Sequence, residues 1–558
     1  MCRMCDDGKP QDHVRAHASS RRDFLKASTA TAIGAAGLNL LAARPASAQE
    51  GEQGPPASNG KPDGRYLIRG GIVMSMDPKV GDFVQADVLV EGKRILAVGP
   101  NLSSTGDDID ARGKIVMPGF IDTHHHQFET VLRSFLADGV LINDDSGSAS
   151  GSRTYFEYIL LTFAPVYRPQ DVYINELFGG LSQLDDGVTT VHDVSQIHHS
   201  PQHSDAAIQA LIDTGRRAAF GYFESAGAAI LGTNPGNKYP SDATRIKKQW
   251  FSSSDQLVTM IMGGEVYLPG YEAAWNIGRE LGLQIAAHIL SPFGIRPTLD
   301  QLAKNTLNNT PNTLKLGPDN LFIHMTGMSN LGWEAVKNVG AQVSLAVPIE
   351  MNMRHGMPPI LRMQKLGIEP SLSVDVECTL TADFFTQMRS CMNLQRMLVN
   401  QMILDSPNGN QYLPNPLDWG LPESAVTVPG DFPHWPPKPS DVPDPLTTRD
   451  VLRYATMNGA KALRLDRKVG SLTPGKEADI IILDADAINV APLNHVPGAV
   501  VSLMERPNVE TVIVAGKVRK WKGELLDVDL DKLRNDLENS RDFVFSKAGV
   551  KMDLFDPH

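Results

Sequence analysis

Cysteine is scarce in this chain, with only four among 558 residues. Two of them, Cys2 and Cys5, lie at the very start, within a stretch that has the pattern of a removable targeting segment. The other two, Cys378 and Cys391, are too few to form the disulfide framework on which small secreted domains depend. The sequence therefore predicts a large hydrophobic core in place of a disulfide scaffold, with Cys378 and Cys391 as ordinary thiols.

The chain also has fewer basic than acidic residues and few long apolar runs. The chain has 52 Lys and Arg residues against 64 Asp and Glu, a net charge of −12 at pH 7, and no basic stripe. This balance argues against a nucleic-acid partner. The Ala-rich run at 27–43 is shorter than the roughly 20 apolar residues that span a membrane. We therefore predict no stable membrane anchor.

The first 48 residues have the pattern of a targeting segment. Residues 20–26 (SRRDFLK) carry a twin-arginine signature, and residues 46–48 (ASA) offer a small-residue cleavage site. This pattern predicts a twin-arginine signal peptide over 1–48, export by the twin-arginine machinery, and a periplasmic or secreted mature protein. The polar, Gly/Pro-rich residues 49–62 are predicted to form a flexible leader.

Residues 118–126 (PGFIDTHHH) place three histidines directly after a short apolar run. On a β-strand, residues i and i+2 project to the same face, so His124 and His126 point together and His125 points away. Two imidazoles on one face form half of a metal site, although a run of histidines can also be a solvated loop. The histidines alone do not decide between these interpretations.

Three more polar residues follow apolar runs that are typical of buried parallel strands. His288 ends the run LQIAAH, His324 lies in NLFIHMTG, and Asp375 ends SLSVD. In a parallel barrel of alternating strands and helices, the carboxyl ends of the strands form one face. Polar residues gathered on that face are typical of a catalytic site.

Eight such runs alternate with helical stretches, counting the strand that carries His124 first. The other seven strands are predicted at 189–195, 216–223, 257–265, 283–290, 320–327, 342–350 and 371–377. Shorter runs outside the barrel, typical of a β-sandwich, lie at 65–76, 86–98, 114–117, 478–484 and 511–518. A charged pattern predicts a final helix over 530–545, with a solvated face.

The HxH element, together with 447–460 (TTRDVLRYATMNGA) and 469–484 (VGSLTPGKEADIIILD), resembles the amidohydrolase superfamily. The similarity is to the branch that holds cytosine deaminase, adenosylhomocysteine deaminases and triazine hydrolases. It implies an α/β fold, a (β/α)8 TIM barrel with a small composite β-sandwich. The implied segments are sandwich at 63–118 and 469–525, barrel at 119–468, and a helical segment at 526–558.

In single-metal relatives of this branch, the ligands would be the HxH histidines, a strand-five histidine and a strand-eight aspartate. The resemblance implies one divalent cation held by His124, His126, His288 and Asp375, with zinc favoured and Fe2+ or Mn2+ as alternatives. Such a cation lowers the pKa of its water to about 7. Asp375 would carry the water's proton to the leaving group, and His324 would orient the water or polarise the substrate.

One departure from the family pattern bears on the reaction. Deaminases of this branch usually carry a glutamate three residues after the strand-five histidine, where it protonates a ring nitrogen, but this chain has Ser291. A serine hydroxyl cannot shuttle protons near neutral pH. Hydrolysis of an amide, cyclic amide or urea-like bond needs only the activated water and Asp375. We therefore predict a hydrolase of a non-peptide C–N bond in a small molecule.

Two alternatives remain open. The chain could be a deaminase or dehalogenase of a nitrogen heterocycle, with Glu265 or another residue replacing the absent acid. It could instead be a catalytically inactive metal- or ligand-binding barrel, although an intact ligand set argues against that.

Four residues near strand ends are predicted substrate contacts: Glu265, His198, Glu350 and Arg354. Arg354 would suit a carboxylate or a planar carbonyl group through paired hydrogen bonds. The Pro-rich insertion at 406–446 is interpreted as a lid, an oligomer contact or a stiffened surface loop. The sequence leaves the oligomeric state open, with a homo-oligomer among the alternatives.

Overall fold

The computed structural model describes residues 54–103, 106–142, 153–225, 236–293, 295–406 and 438–555. The predicted signal peptide, the start of the leader and most of the 406–446 insertion lie outside these residues. Within the described ranges, no helix is both long enough and apolar enough to cross a membrane.

The β-strands of the described residues form two sheets. In chain order they are β1 Arg65–Met74, β2 Asp82–Glu91, β3 Arg94–Gly99, β4 Asp107–Asp110, β5 Lys114–Pro118, β6 Phe120–His125, β7 Val188–Ser195, β8 Arg217–Tyr222, β9 Val258–Gly263, β10 Gln284–His288, β11 Asn320–Ile323, β12 Gln342–Leu345, β13 Ser371–Leu372, β14 Ile480–Asp484, β15 Val509–Val514, β16 Lys517–Trp521 and β17 Glu524–Leu525.

The α-helices alternate with the barrel strands and close the chain. They are α1 Pro169–Asp185, α2 Pro201–Asp213, α3 Ala243–Trp250, α4 Tyr271–Glu280, α5 Arg296–Leu307, α6 Asn330–Val339, α7 Val347–Asn352, α8 Ile360–Leu366, α9 Phe384–Leu404, α10 Thr448–Arg453, α11 Gly459–Ala462, α12 Val496–Ser502 and α13 Leu530–Ala548. Helix α13 covers the predicted 530–545 and ends at Gly549, whose φ of 68° suits a left-handed C-cap.

The barrel consists of β6 to β13, all parallel and paired in chain order, which confirms the predicted barrel. The backbone closes the circle just beyond β13. The Asp375 amide donates to the His124 carbonyl at 2.9 Å, and the His126 amide donates to the Asp375 carbonyl at 2.8 Å. Because all eight strands run in one direction, their carboxyl ends share one face.

Three barrel strands end well short of their predicted runs. The run predicted at 342–350 is a strand only to Leu345, since Pro348 lies in the first turn of α7 and suits a helix start. The run at 320–327 ends just before His324, which has a φ of 69°. The run at 371–377 ends at Leu372, and Asp375, with a φ of 73°, still bonds through its backbone to the strand of the HxH element. The positive φ values turn the backbone at the two positions where the candidate site begins.

The second sheet is mixed and composite. Its strand order is β17-β16-β15-β14-β5-β1-β2-β3, with β4 pairing β1. The segments before and after the barrel join where β14 pairs antiparallel with β5. Backbone hydrogen bonds from Ile95 to Lys476 (2.9 Å) and from Ala478 to Lys93 (2.8 Å) bring β3 close to the segment that leads into β14. The predicted composite domain is thus one continuous sheet around an aliphatic core.

A buried ion cluster connects this sheet to the barrel. Arg217, the first residue of β8, donates to Asp479 Oδ2 at 3.0 Å and to Glu477 Oε2 at 2.7 Å. All three side chains are almost fully buried. Since each buried charge has a hydrogen-bonded partner, the cluster holds the base of the barrel against the composite sheet.

Candidate active site

The HxH element lies at the carboxyl end of β6. The His124 and His126 rings have centroids 4.6 Å apart, so the alternation of strand side chains does bring them together. His126 Nδ1 is 2.8 Å from the Val194 carbonyl oxygen. Because a carbonyl can only accept, Nδ1 carries the proton and Nε2 keeps its lone pair. His125 contributes to none of the donor clusters found among the described residues.

Asp375 closes the site from the last barrel strand. Its Oδ1 lies 3.0 Å from His124 Nε2 and 3.6 Å from His126 Nε2. Its Oδ2 faces the opposite side, 3.5 Å from His324 Nε2, and has no hydrogen-bond partner within the described part of the chain. Asp375 therefore presents one oxygen to the HxH histidines and the other to His324.

His288, at the end of β10, is fixed by Glu265. Its Nδ1 is 2.6 Å from Glu265 Oε1, and its backbone N–H donates to Glu265 Oε2 at 3.0 Å. The carboxylate holds the proton on Nδ1, so Nε2 turns toward His124 Nε2, 3.3 Å away. This is the carboxylate–histidine arrangement that commonly orients metal-ligating imidazoles.

Glu350 does the same for His324. Its Oε1 lies 3.0 Å from His324 Nδ1 and accepts the backbone N–H of Ala346, also at 3.0 Å. The His324 Nε2 is therefore directed at Asp375 Oδ2. The left-handed backbone at His324 aims the ring into the site, where an extended residue would continue the strand.

Burial sets the charge of these imidazoles. Desolvation lowers the pKa of His124 and His126 well below the usual histidine value, so both rings are neutral. Burial alone would lower the pKa of His288, but the charge and hydrogen bond of Glu265 outweigh this effect and raise that pKa. Neutral imidazoles with exposed lone pairs are the form in which histidine binds metals.

The donor spacing fits a cation. Tetrahedral zinc holds imidazole nitrogens at about 2.0–2.1 Å, which separates two ligand nitrogens by about 3.3 Å. The His124 and His288 nitrogens are 3.3 Å apart. His124, His126 and Asp375 offer ligand atoms within 4.8 Å of one another, as do His124, His288 and His324. His124 belongs to both clusters, so the predicted ligands lie side by side around its ring and supply the nitrogen and oxygen donors that zinc accepts.

A small cavity of about 30 Å3 opens beside these donors. Its lining is shared between the polar cluster and an apolar wall: His126, Leu141, Tyr155, Leu160, Gln196, Tyr267, His288, Leu290, Phe293, His324, Met353, His355, Asp375 and Val376. The apolar and aromatic wall suits a planar or apolar portion of a small molecule.

Sequence reasoning missed several of these lining residues. Tyr155 donates to Glu129 Oε1 at 2.5 Å, and burial raises the pKa of Glu129 to about 8. His355 is 3% exposed and lies beside His324, although the sequence did not mark it as a site residue. A histidine–glycine pair just after a predicted barrel strand was the available signal for His355. Tyr155, in a helical stretch, carried no comparable signal.

None of the four predicted substrate contacts lines the cavity of the described residues. Glu265 and Glu350 lie behind His288 and His324 and hold their rings. His198 is buried, with Nδ1 3.1 Å from Ser204 Oγ and its ring 4.8 Å from that of Tyr222. Arg354 is exposed. Substrate contact by these residues stays a prediction, and for the two glutamates the structure supplies a positioning role.

Ser291, which stands where the family's acid is expected, is exposed and begins a short 3₁₀ turn. Its backbone N–H donates to Thr326 Oγ1 at 3.0 Å. The side chain does not line the cavity. No acidic group therefore reaches the cavity from this position.

The barrel and its polar cluster together define a class, the enzymes that place metal-binding side chains at the carboxyl ends of barrel strands. Within that class, the chain belongs to the amidohydrolase family, whose model matches residues 115–412 and 435–519. It is accordingly a hydrolase of carbon–nitrogen bonds.

Relatives of known activity match nearly the whole chain. The 5'-deoxyadenosine deaminase of Methanosarcina barkeri is 24% identical over 496 residues, which span 87% of this chain and 99% of the relative. The 5-methylthioadenosine/S-adenosylhomocysteine deaminase of Pelotomaculum thermopropionicum is 24% identical, over 84% of this chain and 96% of the relative.

Solved structures share the fold. An adenosine deaminase from Xanthomonas campestris with bound zinc superposes with a TM-score of 0.64 at 18% identity, over 86% of this chain and 98% of that chain. An atrazine chlorohydrolase from Arthrobacter aurescens complexed with zinc gives a TM-score of 0.62 at 20% identity, over 85% and 100%.

Proposed function

We propose that this protein hydrolyses a non-peptide C–N bond, in an amide, cyclic amide or urea-like small molecule, with the help of a bound divalent cation. The observations that carry the proposal are the cluster of His124, His126 and Asp375 donors beside an apolar cavity and the position of His288 Nε2, 3.3 Å from His124 Nε2. Zinc best fits the mixed nitrogen and oxygen donors, with Fe2+ or Mn2+ as alternatives.

The cation would supply a water with a pKa lowered to about 7 and would polarise the substrate. The side chains of the protein would transfer the proton and orient the reacting groups. Asp375 Oδ2 faces the cavity without a hydrogen-bond partner among the described residues, so it can take the proton of the attacking water and pass it to the leaving nitrogen. His324, held by Glu350 with its proton on Nδ1, accepts a hydrogen bond through Nε2 at the same place and orients the reacting groups.

Deamination of a nitrogen heterocycle is the second candidate, and the similarity to purine-nucleoside deaminases favours it. Against it stands the exposed Ser291, which offers no acid to a ring nitrogen. Glu265, which the sequence suggested as a replacement acid, already accepts two hydrogen bonds from His288. Amide hydrolysis needs no additional acid, and we therefore place it first.

The test combines metal analysis with product analysis on the purified protein. Wild type, Asp375→Asn and the exposed control Asp536→Asn would be assayed with cyclic amides, ureas, 5'-deoxyadenosine and chlorotriazines. We expect a zinc-loaded wild type that opens a cyclic amide or urea, a matching control, and an Asp375→Asn variant with at least a 1000-fold lower rate, in line with about 4 kcal/mol of lost transition-state stabilisation. Ammonia released from a heterocycle would establish the second candidate instead, and a protein that binds no metal would refute both.

We also propose export through the twin-arginine route, on the strength of residues 20–26 and 46–48. Fractionation of cells that carry the full chain tests this. Activity in the periplasm or medium, lost when Arg21 and Arg22 are both changed to Lys, is the expected result. Activity that stays in the cytoplasm with the wild-type leader would refute export.

A further inference from the structure

His355 is a buried histidine without an assigned partner, directly beside the candidate active site. It is 3% exposed, and neither ring nitrogen has a hydrogen-bond partner within the described part of the chain. Its ring lies 4.8 Å from the His324 ring, at an interplanar angle of 81°. A buried imidazole normally satisfies its nitrogens, and the described residues supply no partner for these two, which leaves both nitrogens available to a ligand.

The backbone around His355 is built to aim it inward. Arg354 before it and Gly356 after it have φ values of 59° and 110°. A Cβ on Gly356 would lie 3.0 Å from Thr326 Cβ, so the glycine permits both the turn and the close approach. Thr326 Oγ1 donates a hydrogen bond to the His355 carbonyl and holds this turn in place.

One of the ligand atoms opposite His355, Asp375 Oδ2, also lacks a hydrogen-bond partner among the described residues. Ligand atoms of His324, His355 and Asp375 all lie within 4.8 Å of one another. Asp375 Oδ2 has no hydrogen-bond partner in the described ranges, and it is the oxygen that faces away from His124 and His126. His324 Nε2 is 3.5 Å from this oxygen, with its proton held on Nδ1 by Glu350. Two imidazoles and a carboxylate therefore converge with free lone pairs.

We propose that His324, His355 and Asp375 Oδ2 form a second divalent-cation site, with Asp375 shared between it and the site of His124, His126 and His288. This inference rests on the proposed function and adds a second ion to the single ion proposed there. It leaves Asp375 its role with water, because each carboxylate oxygen has two lone-pair positions and can contact a cation and a proton donor together. His324 Nε2 has a single lone pair, which the second cation would occupy, so with that ion bound His324 would act on the reacting groups through the cation. Zinc accepts this set of two nitrogens and one oxygen.

Metal stoichiometry tests the inference without any knowledge of the substrate. The full chain, stripped with a chelator and reloaded with Zn2+, would be desalted and analysed by mass spectrometry of the metal. The same treatment would be given to His355→Ala, to His355→Gln as a variant that preserves size and polarity, and to His495→Ala, which removes an exposed histidine. Circular dichroism would check that each variant is folded.

We expect about two zinc ions per chain in wild type and His495→Ala, and about one in both His355 variants. One ion in wild type, or two in a folded His355 variant, would overturn the second site and leave the proposed function standing. No bound zinc in wild type would refute the proposed function as well. Should His355→Ala fail to fold, His355→Gln and the wild-type stoichiometry still decide the question.

Discussion

The contact between Glu265 and His288 tests whether a buried carboxylate orients a metal-binding histidine in this site. Glu265 is fully buried and accepts two hydrogen bonds from His288, one from Nδ1 at 2.6 Å and one from the backbone N–H at 3.0 Å. Glu265→Gln keeps the size of the side chain but removes its charge. If the amide oxygen of the new glutamine keeps the hydrogen bond with His288 Nδ1, its amide nitrogen lies against the backbone N–H of His288. Two hydrogen-bond donors then face each other.

The expected loss is appreciable. A hydrogen bond to a charged group contributes about 1.5–3 kcal/mol, and residues that hold a ligating histidine typically change metal affinity by about 10–100-fold. We therefore expect the zinc dissociation constant of Glu265→Gln to rise by about 10–100-fold, which corresponds to about 1.4–2.7 kcal/mol. Competition with a chromophoric chelator at fixed pH measures this directly.

Glu280→Gln is the matched control, since it removes the same charge from an exposed position at the end of α4. Its zinc affinity should equal that of wild type. An unchanged zinc affinity in Glu265→Gln would refute the reasoning, because it would show that His288 does not depend on its carboxylate partner or does not bind the metal. A loss of affinity in both variants would point to a general charge effect.

Three further predictions concern stability and pH. Arg217→Met leaves Asp479 buried without a cation and Glu477 with only Lys93, 3.6 Å away, and should cost about 3–5 kcal/mol in urea unfolding. Arg112→Met, at an exposed pair, should cost less than about 1 kcal/mol, and equal costs would contradict the ion-cluster argument. Gly263→Ala places a Cβ 2.3 Å from the Phe223 ring and should cost about 1–3 kcal/mol by overpacking, while Gly99→Ala, with nothing within 4 Å, should be near neutral. Burial raises the pKa of Glu129 from 4.5 to about 8, so its stabilising effect is complete below about pH 4.5 and is lost as the pH rises through about 8. Unfolding free energy of the metal-free protein should therefore fall across that range more steeply in wild type than in Glu129→Gln, and parallel pH profiles would argue that Glu129 is ionised in the native state.

Much of the architecture was accessible from local patterns. Apolar runs of strand length at regular spacing identified the barrel, because every parallel strand must be buried on both faces. The same logic located His124, His126, His288, His324 and Asp375, since a polar residue at the end of such a run has to emerge at the carboxyl face. Strand ends were predicted less well: β11 stops just before His324, whose φ is positive, and β13 ends already at Leu372, earlier than hydrophobicity suggests.

The roles of Glu265, Glu350 and His355 depended on three-dimensional contacts. Glu265 and His355 lie in loops after their strands and Glu350 lies in α7, and nothing in a one-dimensional pattern says whether such a side chain turns toward the cavity or behind a neighbour. Packing placed Glu265 and Glu350 behind histidines that the sequence already marked, and it turned His355 toward Asp375 through the left-handed residues on either side.

The sequence by itself determined the barrel, the composite sheet and the histidine and aspartate side chains of the site, because periodic burial and strand-end polarity are properties of neighbouring residues. Only the tertiary structure decided which oxygen of Asp375 faces which histidine, which carboxylates hold the imidazoles, and that His355 joins them. Those facts depend on backbone turns and on contacts between residues that are tens to hundreds of positions apart, where burial and the need to satisfy every polar atom act on the whole fold at once.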